Sequence, residues 1–296
     1  MSSNLTSNVI SRVFRKLFQQ AIDSRLTEEL NAVLISYKIR PSEKELFPNE
    51  AAMKAHLDGY SDGVLNEYII AKSKRWLETL QISDFVFPAH VYSLLWVIQL
   101  VQGRLGRPLR VLDFGGGAPS VPVMLHQLGM TQYLDSYRII ESPAFVGKIP
   151  AEWNAMCQYS DTYDGDSCDL LILSGVLPYL GSDLVRSVYR SIEKAPPQFI
   201  YFGRTSFLRD DYPEEEVYTV QESRFRDHGA QVDVGMVGIE NNMAHYVKRH
   251  FKWSEIGKVL DPLGYRKVLE LADNSGLENI KGLGLYSKNA LWERAE

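Results

Sequence analysis

Residues 111–120 constrain the fold of this chain more than any other segment. They read V-L-D-F-G-G-G-A-P-S: an apolar run contains an acid, three glycines follow, and the next residues are able to begin a helix. Glycine permits a positive φ in a tight turn and lets the backbone lie close beneath a ligand, where a Cβ would collide. The segment therefore predicts a strand, a ligand-binding turn and a helix, although an ordinary tight turn is the alternative. The candidate ligand-binding residues are Asp113, Gly115, Gly116 and Gly117.

Short apolar runs alternate with helical patterns after residue 105, which is typical of a parallel sheet covered by helices. The predicted strands are residues 109–114, 137–141, 169–174, 199–203, 265–271 and 282–287, and the predicted helices are residues 121–128, 183–193 and 253–263. We assign residues 1–105, which show helical spacing, to a helical N-terminal cap, and residues 106–296 to a Rossmann-like α/β core. A polar insertion at residues 204–250 interrupts the alternation, with further strands expected around residues 216–220 and 231–237.

Composition excludes several classes of protein. Of 296 residues, 45% are hydrophobic and 23% are charged, which is typical of a globular protein. The net charge of −5 and the dispersed lysines and arginines argue against a nucleic-acid partner. No apolar stretch approaches the ~20 residues of a membrane span. Cys157 and Cys168 match neither a zinc site nor a redox pair, and no cluster has metal-ligand spacing, so we expect buried thiols, a cytoplasmic location and no metal site.

Glu141 ends the second predicted strand, after the apolar run at residues 137–140. A carboxylate at this position accepts hydrogen bonds from both ribose hydroxyls of a nucleoside, in NAD or in S-adenosylmethionine. Asp113 favours the second ligand, because a carboxylate repels pyrophosphate, whereas S-adenosylmethionine carries an ammonium and a sulfonium. An exposed acid that caps the following helix is the alternative for Glu141.

The buried strand predicted at residues 169–174 leads into small and apolar residues. Ligands of open α/β sheets bind beyond the carboxyl ends of the strands, so this loop is expected to face the same crevice as the glycine turn. Burial in the core is the alternative for the two apolar members of the loop. The candidate residues are Ser174, Gly175, Val176 and Leu177.

These motifs, in this order, resemble a family of S-adenosylmethionine-dependent methyltransferases often encoded among bacterial polysaccharide-biosynthesis functions. The resemblance spans most of the chain. It includes Asp58-Gly59-Tyr60, Leu112-Asp113-Phe114-Gly115-Gly116, Ile140-Glu141, Ser174 to Leu180, Arg204-Thr205-Ser206-Phe207, Thr219-Val220-Gln221 and Tyr246 to Trp253. It implies a class I methyltransferase core with a mostly parallel seven-stranded sheet, S-adenosylmethionine as cofactor and S-adenosylhomocysteine as product. The polysaccharide context suggests a sugar hydroxyl as acceptor. Gly203 departs from the family pattern, which has an acid before the Arg-Thr pair.

Methyl transfer from a sulfonium is an in-line displacement, and a hydroxyl acceptor also needs a base to remove its proton. His245 is the preferred base because it follows the insertion, where an acceptor pocket would close; a structural histidine is the alternative. His250 and Asp211 are the further candidates. Arg204, at the end of the fifth core strand, is expected to orient the acceptor or to hold the insertion through Asp210, Asp211 or Gln221.

The sequence therefore predicts a methyltransferase that acts on a small-molecule or glycan acceptor, with a homodimer through the helical N-terminal region left open. Two alternatives remain. One is a catalytically silent S-adenosylmethionine-binding partner protein, which the departure at Gly203 keeps open. The other is an NAD-dependent nucleotide-sugar oxidoreductase, which Asp113 disfavours.

Overall fold

One mixed sheet organises the part of the chain that this computed structural model describes. The described residues are 66–67, 69–71, 73–74, 77, 89–163, 167–224, 243–272 and 285–295. Most of the predicted N-terminal cap lies outside them, so the division at residue 105 stays a prediction. None of the helices in the described ranges is long and apolar enough to cross a membrane.

The elements within these ranges follow in chain order. They are α1 (Ala89–Leu105), β1 (Leu109–Phe114), α2 (Ser120–Gln127), β2 (Leu134–Ile140), α3 (Pro143–Val146), α4 (Ala151–Asn154), β3 (Gln158–Ser160), β4 (Leu170–Ser174), α5 (Ser182–Lys194), β5 (Phe199–Leu208), β6 (Glu216–Arg224), β7 (Met243–Lys252), α6 (Ser254–Leu260), β8 (Tyr265–Ala272) and β9 (Tyr286–Arg294). Short 3₁₀ turns occur at Thr131–Tyr133, Leu177–Tyr179 and Asp261–Leu263.

The strand order confirms the predicted Rossmann-like α/β class. Strands β3, β2, β1, β4 and β5 pair in that order and are all parallel. Strand β9 then pairs antiparallel with β5 and with β8, so β8 runs parallel to β5. These seven strands form the core of the sheet. Strands β6 and β7, an antiparallel ribbon, join it only at the end of β5, where Phe207 and Leu208 pair with β7.

Helices cover both faces of the sheet. Successive residues of a strand point to opposite sides, so strands that are apolar throughout must be covered on both. Val111 of β1 belongs to a buried cluster that includes Ile98 of α1 and Met124 of α2. Its neighbour Leu112 belongs to a second cluster, which includes Val188 of α5. The fully apolar sequence of β4, LLIL, follows from this arrangement, since a central parallel strand has no solvent face.

Several predicted elements need correction. The observed last strand, β9, begins four residues after the predicted 282–287, because pairing with β5, with Leu291 opposite Tyr201, places it. The insertion predicted at 204–250 is in part regular structure: residues 204–208 complete β5, and most of the rest of its described residues belong to the β6–β7 ribbon. The prediction of a strand near 216–220 is confirmed, whereas 231–237 lies outside the described residues. Strands β3 and β7 were not predicted.

Asp169 fastens the amino ends of β1 and β4 together. Its buried carboxylate accepts hydrogen bonds from the guanidinium of Arg107 at 2.8 and 2.9 Å, from the backbone N–H of Arg110 at 2.8 Å and from the Arg110 side chain at 3.1 Å. Burial alone raises the pKa of Asp169, but the hydrogen bonds from the two arginines outweigh it and hold the pKa well below its usual range. This carboxylate therefore stabilises the fold in its ionised form.

We expect Asp169→Asn to lower the free energy of unfolding at pH 7 by about 1–3 kcal/mol, because charged hydrogen bonds are lost in a buried place. The pKa of the carboxyl is lower in the folded than in the unfolded chain. The contribution of the ionised carboxylate to stability is therefore present above its pKa in the unfolded chain, about 3.9. It is lost as the pH falls below that value toward the lower pKa of the folded chain. Urea unfolding at pH values from about 5 down to about 2 should show that the difference in unfolding free energy between the wild type and Asp169→Asn becomes smaller.

Asp211→Asn is the matched control, because Asp211 is exposed and pairs only with Arg209 among the described residues. It should change stability by less than about 0.5 kcal/mol. A difference for Asp169→Asn that persisted at low pH would contradict the assigned role of its charge.

Candidate functional site

Residues with left-handed backbone conformation lie together at the carboxyl ends of β1 and β4 and beside them in β5. Gly115 has φ +72° and Gly117 has φ +64° after β1, Gly175 has φ +71° after β4, and Arg204 has φ +52° within β5. A residue with a Cβ adopts this conformation at a cost, and such residues are common at binding sites. The predicted crevice at the carboxyl edge of the sheet is therefore formed by sharply turned loops.

Gly115 lies where the loops after β1 and β4 touch. Its N–H donates to the carbonyl of Ile140 at 2.8 Å. A Cβ at this position would lie 2.4 Å from Cγ2 of Val176, which no ordinary packing allows. The sequence pattern predicted that a Cβ here would collide with a ligand; the contact with Val176 and the positive φ are two further reasons for glycine at this position. The two loops predicted to share a crevice do meet.

Asp113 supports the glycine turn from below. Its carboxylate is buried and accepts a hydrogen bond from the hydroxyl of Tyr137 at 2.6 Å. A Cβ at Gly116 would lie 2.5 Å from the same oxygen, so the turn rests directly on the carboxylate. Burial raises the pKa of Asp113 to about 7, against the opposing effect of the Tyr137 hydrogen bond. The carboxyl group is thus able to take or lose a proton near neutral pH.

Glu141 holds the other side of the turn. One carboxylate oxygen accepts from the N–H of Gly117 at 3.0 Å, and the other accepts from the N–H of Ser142 at 3.1 Å. Burial raises the pKa of Glu141, although these two backbone hydrogen bonds oppose it. The hydroxyl of Tyr159, in β3, donates to the carbonyl of Gly117 at 2.9 Å. Two neighbouring strands therefore fix the position of the turn.

A cavity of about 370 Å³ lies beside this turn. Four predicted residues, Gly115, Glu141, Gly175 and Val176, line it. The sequence did not indicate several other members of its wall, some of them in α5. These include Ser142, Asp161, Tyr163, Leu184 and Val188. A volume in this range, with a largely apolar wall and a few polar groups, is typical of a pocket for a small ligand.

Asp161 is a cavity residue that the sequence analysis missed. It directly follows β3, whose three residues, Gln-Tyr-Ser, form no apolar run. Because β3 pairs in parallel with β2, its end lies at the same edge of the sheet as Glu141. A signal was present only in the polar alternation around residue 160, which is too short to identify a strand.

A smaller cavity of about 80 Å³ lies on the other side of Gly115, which lines both. Its wall includes the predicted residues Asp113, Gly116, Ser174 and Arg204, together with Leu94 of α1. The N-terminal helix α1 therefore reaches the site. Arg204 lies here, whereas Asp211, one of the three partners predicted for it, pairs with Arg209.

Of the other predicted site residues, Gly117, Leu177, His250 and Asp211 line neither cavity. Leu177 is fully buried in the core. His250 is buried in β7, with Nε2 at 3.0 Å from the hydroxyl of Thr219, and Asp211 is exposed. His245 lies on β7 opposite Glu222, and its side chain lies outside what the structure describes.

Gly203 stands where the resembling family has an acid. A Cβ here would lie 2.7 Å from the ring of Tyr201 and 3.0 Å from the hydroxyl of Ser174. The local packing thus leaves no room for a larger side chain. Within the described ranges, no three histidine, cysteine or acidic residues are grouped as metal ligands.

The sequence matches no protein-family model and no curated protein. Among solved structures, the chain resembles an S-adenosylmethionine-dependent methyltransferase from Clostridium acetobutylicum, at 12% identity over 76% of this chain and 99% of that chain, with a TM-score of 0.47. It also resembles the magnesium protoporphyrin IX methyltransferase of Synechocystis with bound S-adenosylmethionine, at 13% identity over 79% and 98%, with a TM-score of 0.44. A third is the Burkholderia thailandensis 1,6-didemethyltoxoflavin N1-methyltransferase, at 13% identity over 84% and 91%, with a TM-score of 0.41.

The close contact at Gly115 gives a prediction for stability. Gly115→Ala and Gly117→Ala should each lose about 1–2 kcal/mol of unfolding free energy to left-handed strain. Gly115→Ala alone should lose about 1–3 kcal/mol more of unfolding free energy to overpacking against Val176. A Cβ at Gly117 meets no atom within 4 Å, so Gly117→Ala has no such contact.

A double-mutant cycle with Val176→Ala separates the two terms. Urea unfolding should show that Gly115→Ala costs about 0.5–3 kcal/mol less in the Val176→Ala background than in the wild type. Additive effects of the two substitutions would show that the contact is not the reason for glycine at this position.

Proposed function

We propose that this chain is an S-adenosylmethionine-dependent methyltransferase. The observation that carries the proposal is a pair of adjoining cavities at one glycine turn, the larger holding Glu141 and the smaller holding Asp113 and Arg204. S-adenosylmethionine has a neutral nucleoside at one end and a zwitterionic amino acid at the other. The larger cavity offers acceptors for the hydroxyl and amino groups of a nucleoside, and the smaller one offers partners for both charges of a zwitterion.

The larger cavity suits the adenosine half. Its apolar wall, with Ile140, Val176 and Leu184, is complementary to a purine ring. The Glu141 carboxylate already accepts two backbone N–H groups, yet each oxygen retains a further lone pair for a ribose hydroxyl. Asp161 supplies an acceptor for the exocyclic amino group of adenine. Its carboxylate and that of Glu141 also disfavour a pyrophosphate in this cavity.

The smaller cavity suits the amino-acid half. Asp113 presents a carboxyl group whose pKa burial raises to about 7, and a cation bound beside it would favour the ionised form. Ser174 adds a hydroxyl. S-adenosylmethionine supplies a methyl group on a sulfonium, and the chain has to orient the acceptor in line with it and exclude water.

We place the acceptor on the side of the β6–β7 ribbon. Strand β7 packs against the Leu177–Tyr179 turn, and Tyr179 lines the larger cavity, so the ribbon borders the donor site. A sugar hydroxyl or another polar small molecule is the proposed acceptor, in keeping with the acidic net charge. His245 of β7 is the proposed base, with Asp211 and His250 as weaker candidates given their positions outside the two cavities.

Calorimetry on the purified chain tests the donor. S-adenosylmethionine and S-adenosylhomocysteine should bind, and NAD should not. Glu141→Gln should weaken both adenosyl ligands by about 1.5–3 kcal/mol, because a charge-assisted hydrogen bond is lost. Glu193→Gln, which changes an exposed glutamate of α5 outside both cavities, is the matched control and should bind like the wild type.

Tighter binding of NAD than of S-adenosylmethionine by the wild type would contradict the donor assignment. Unchanged affinity in Glu141→Gln would contradict the placement of the ribose on this carboxylate. A thermal melt of each variant separates loss of contact from loss of the fold, since Glu141 also holds the N–H of Gly117.

A screen with labelled donor against nucleotide sugars, glycans and polar metabolites tests the acceptor. With an accepted substrate, His245→Ala should lower turnover by about 10²–10⁴-fold and leave donor affinity unchanged, as expected for loss of a general base. The matched control is His126→Ala, an exposed histidine of α2 outside both cavities. Methylation of RNA or protein alone would contradict the acceptor class, and donor binding without any transfer would favour the silent partner protein.

A further inference from the structure

Arg204 is held in a conformation that ordinarily belongs to glycine. Its φ is +52°, and it is the single non-glycine residue with positive φ among the described residues. The pairing of β5 with β9 shifts register between Phe202 and Thr205, so Arg204 lies in a β-bulge. Its N–H donates to the side-chain oxygen of Asn289, a buried residue of β9, at 2.8 Å. Bulges of this kind commonly redirect a side chain next to a binding site.

The adjacent strand lies directly beside this side chain. Ser174 of β4 lies opposite Gly203 of β5, so Gly175 and Arg204 come next to each other. The N–H of Gly175 donates to the carbonyl of Gly203 at 2.7 Å. A Cβ at Gly175 would lie within ordinary contact distance of Arg204, 3.4 Å from its Cβ and 3.8 Å from its Nε, so the positive φ of +71° is what favours glycine here. The turn after β4 and the bulge of β5 therefore pack against each other next to the smaller cavity, which Ser174 and Arg204 line.

The guanidinium of Arg204 has no carboxylate partner among the residues that the structure describes. Several other arginines in these ranges do. Arg107 and Arg110 pair with Asp169, Arg186 with Asp183, Arg209 with Asp211, and Arg249 with Glu216 and Glu255. An arginine held in a strained bulge and lining a cavity, with no described anion, is suited to a ligand that brings its own anion.

We propose that Arg204 binds the α-carboxylate of the methionine half of S-adenosylmethionine, an inference that rests on the proposed function. The smaller cavity contains Asp113 and Ser174 as well as Arg204, so it offers partners for both the ammonium and the carboxylate of a zwitterion. A guanidinium binds a carboxylate through two parallel N–H bonds, which fixes direction as well as position. Asn289 is the positioning residue that keeps Arg204 in the bulge. This role concerns the donor, whereas the sequence alone suggested one toward the acceptor.

The test compares ligands with and without the amino-acid half. S-adenosylmethionine carries it on a sulfonium and S-adenosylhomocysteine carries it on a neutral thioether. 5′-Methylthioadenosine keeps the adenosine and the thioether and lacks the amino-acid half, so its comparison with S-adenosylhomocysteine isolates that half. Calorimetry should show Arg204→Gln binding S-adenosylmethionine and S-adenosylhomocysteine about 10- to 100-fold more weakly than the wild type, with methylthioadenosine changed less than about threefold. Arg209→Gln removes a nearby charge outside both cavities and should leave all three affinities unchanged.

Arg204→Gly is the second variant, because it keeps the left-handed backbone at no steric cost while removing the guanidinium. It should melt no lower than Arg204→Gln and show the same selective loss of the two ligands that carry the amino-acid half. Asn289→Ala should show that loss in part. Equal weakening of all three ligands, or no weakening of any, in both Arg204 variants would overturn the role of Arg204. Failure of the wild type to bind any of the three ligands would instead refute the proposed function, and the inference with it.

Discussion

The close approach of the loops after β1 and β4 is the constraint on which the rest of the site depends. Gly115 leaves no space for a Cβ beside Val176, and its positive φ turns the chain sharply at the end of β1. The same contact separates the larger cavity from the smaller one, since Gly115 lines both.

Polar groups from neighbouring strands hold this arrangement. The hydroxyl of Tyr137 satisfies the buried carboxyl of Asp113, and Tyr159 and Glu141 each bind a backbone group of Gly117. Burying an acid costs free energy, which here appears as the raised pKa of Asp113. The buried carboxyl in return helps to orient the N–H and carbonyl groups of the turn. A site organised in this way loses less entropy on binding.

The parts of the site that the sequence revealed are those encoded within a few consecutive residues. The glycine turn after Asp113 and the acid at Glu141 were recognisable because a strand, its last residue and the following turn are continuous in the chain. Asp161 was missed because β3 is too short to show an apolar period. Strand β7 was missed because polar and charged residues interrupt its sequence, MAHYVKRHFK. His250, predicted as a candidate base, is instead packed against Thr219.

The sequence by itself determined the parallel core, because burial on both faces demands apolar strands such as β4, and it determined the glycine turn, because only glycine takes these dihedral angles cheaply. Tertiary structure alone decided which residues share a cavity. Arg204 lies with Asp113 because β1, β4 and β5 are neighbours in the sheet, and because Asn289, far along the chain in β9, holds the bulge. Strand order and bulges depend on pairing between distant segments, and no local pattern records that pairing.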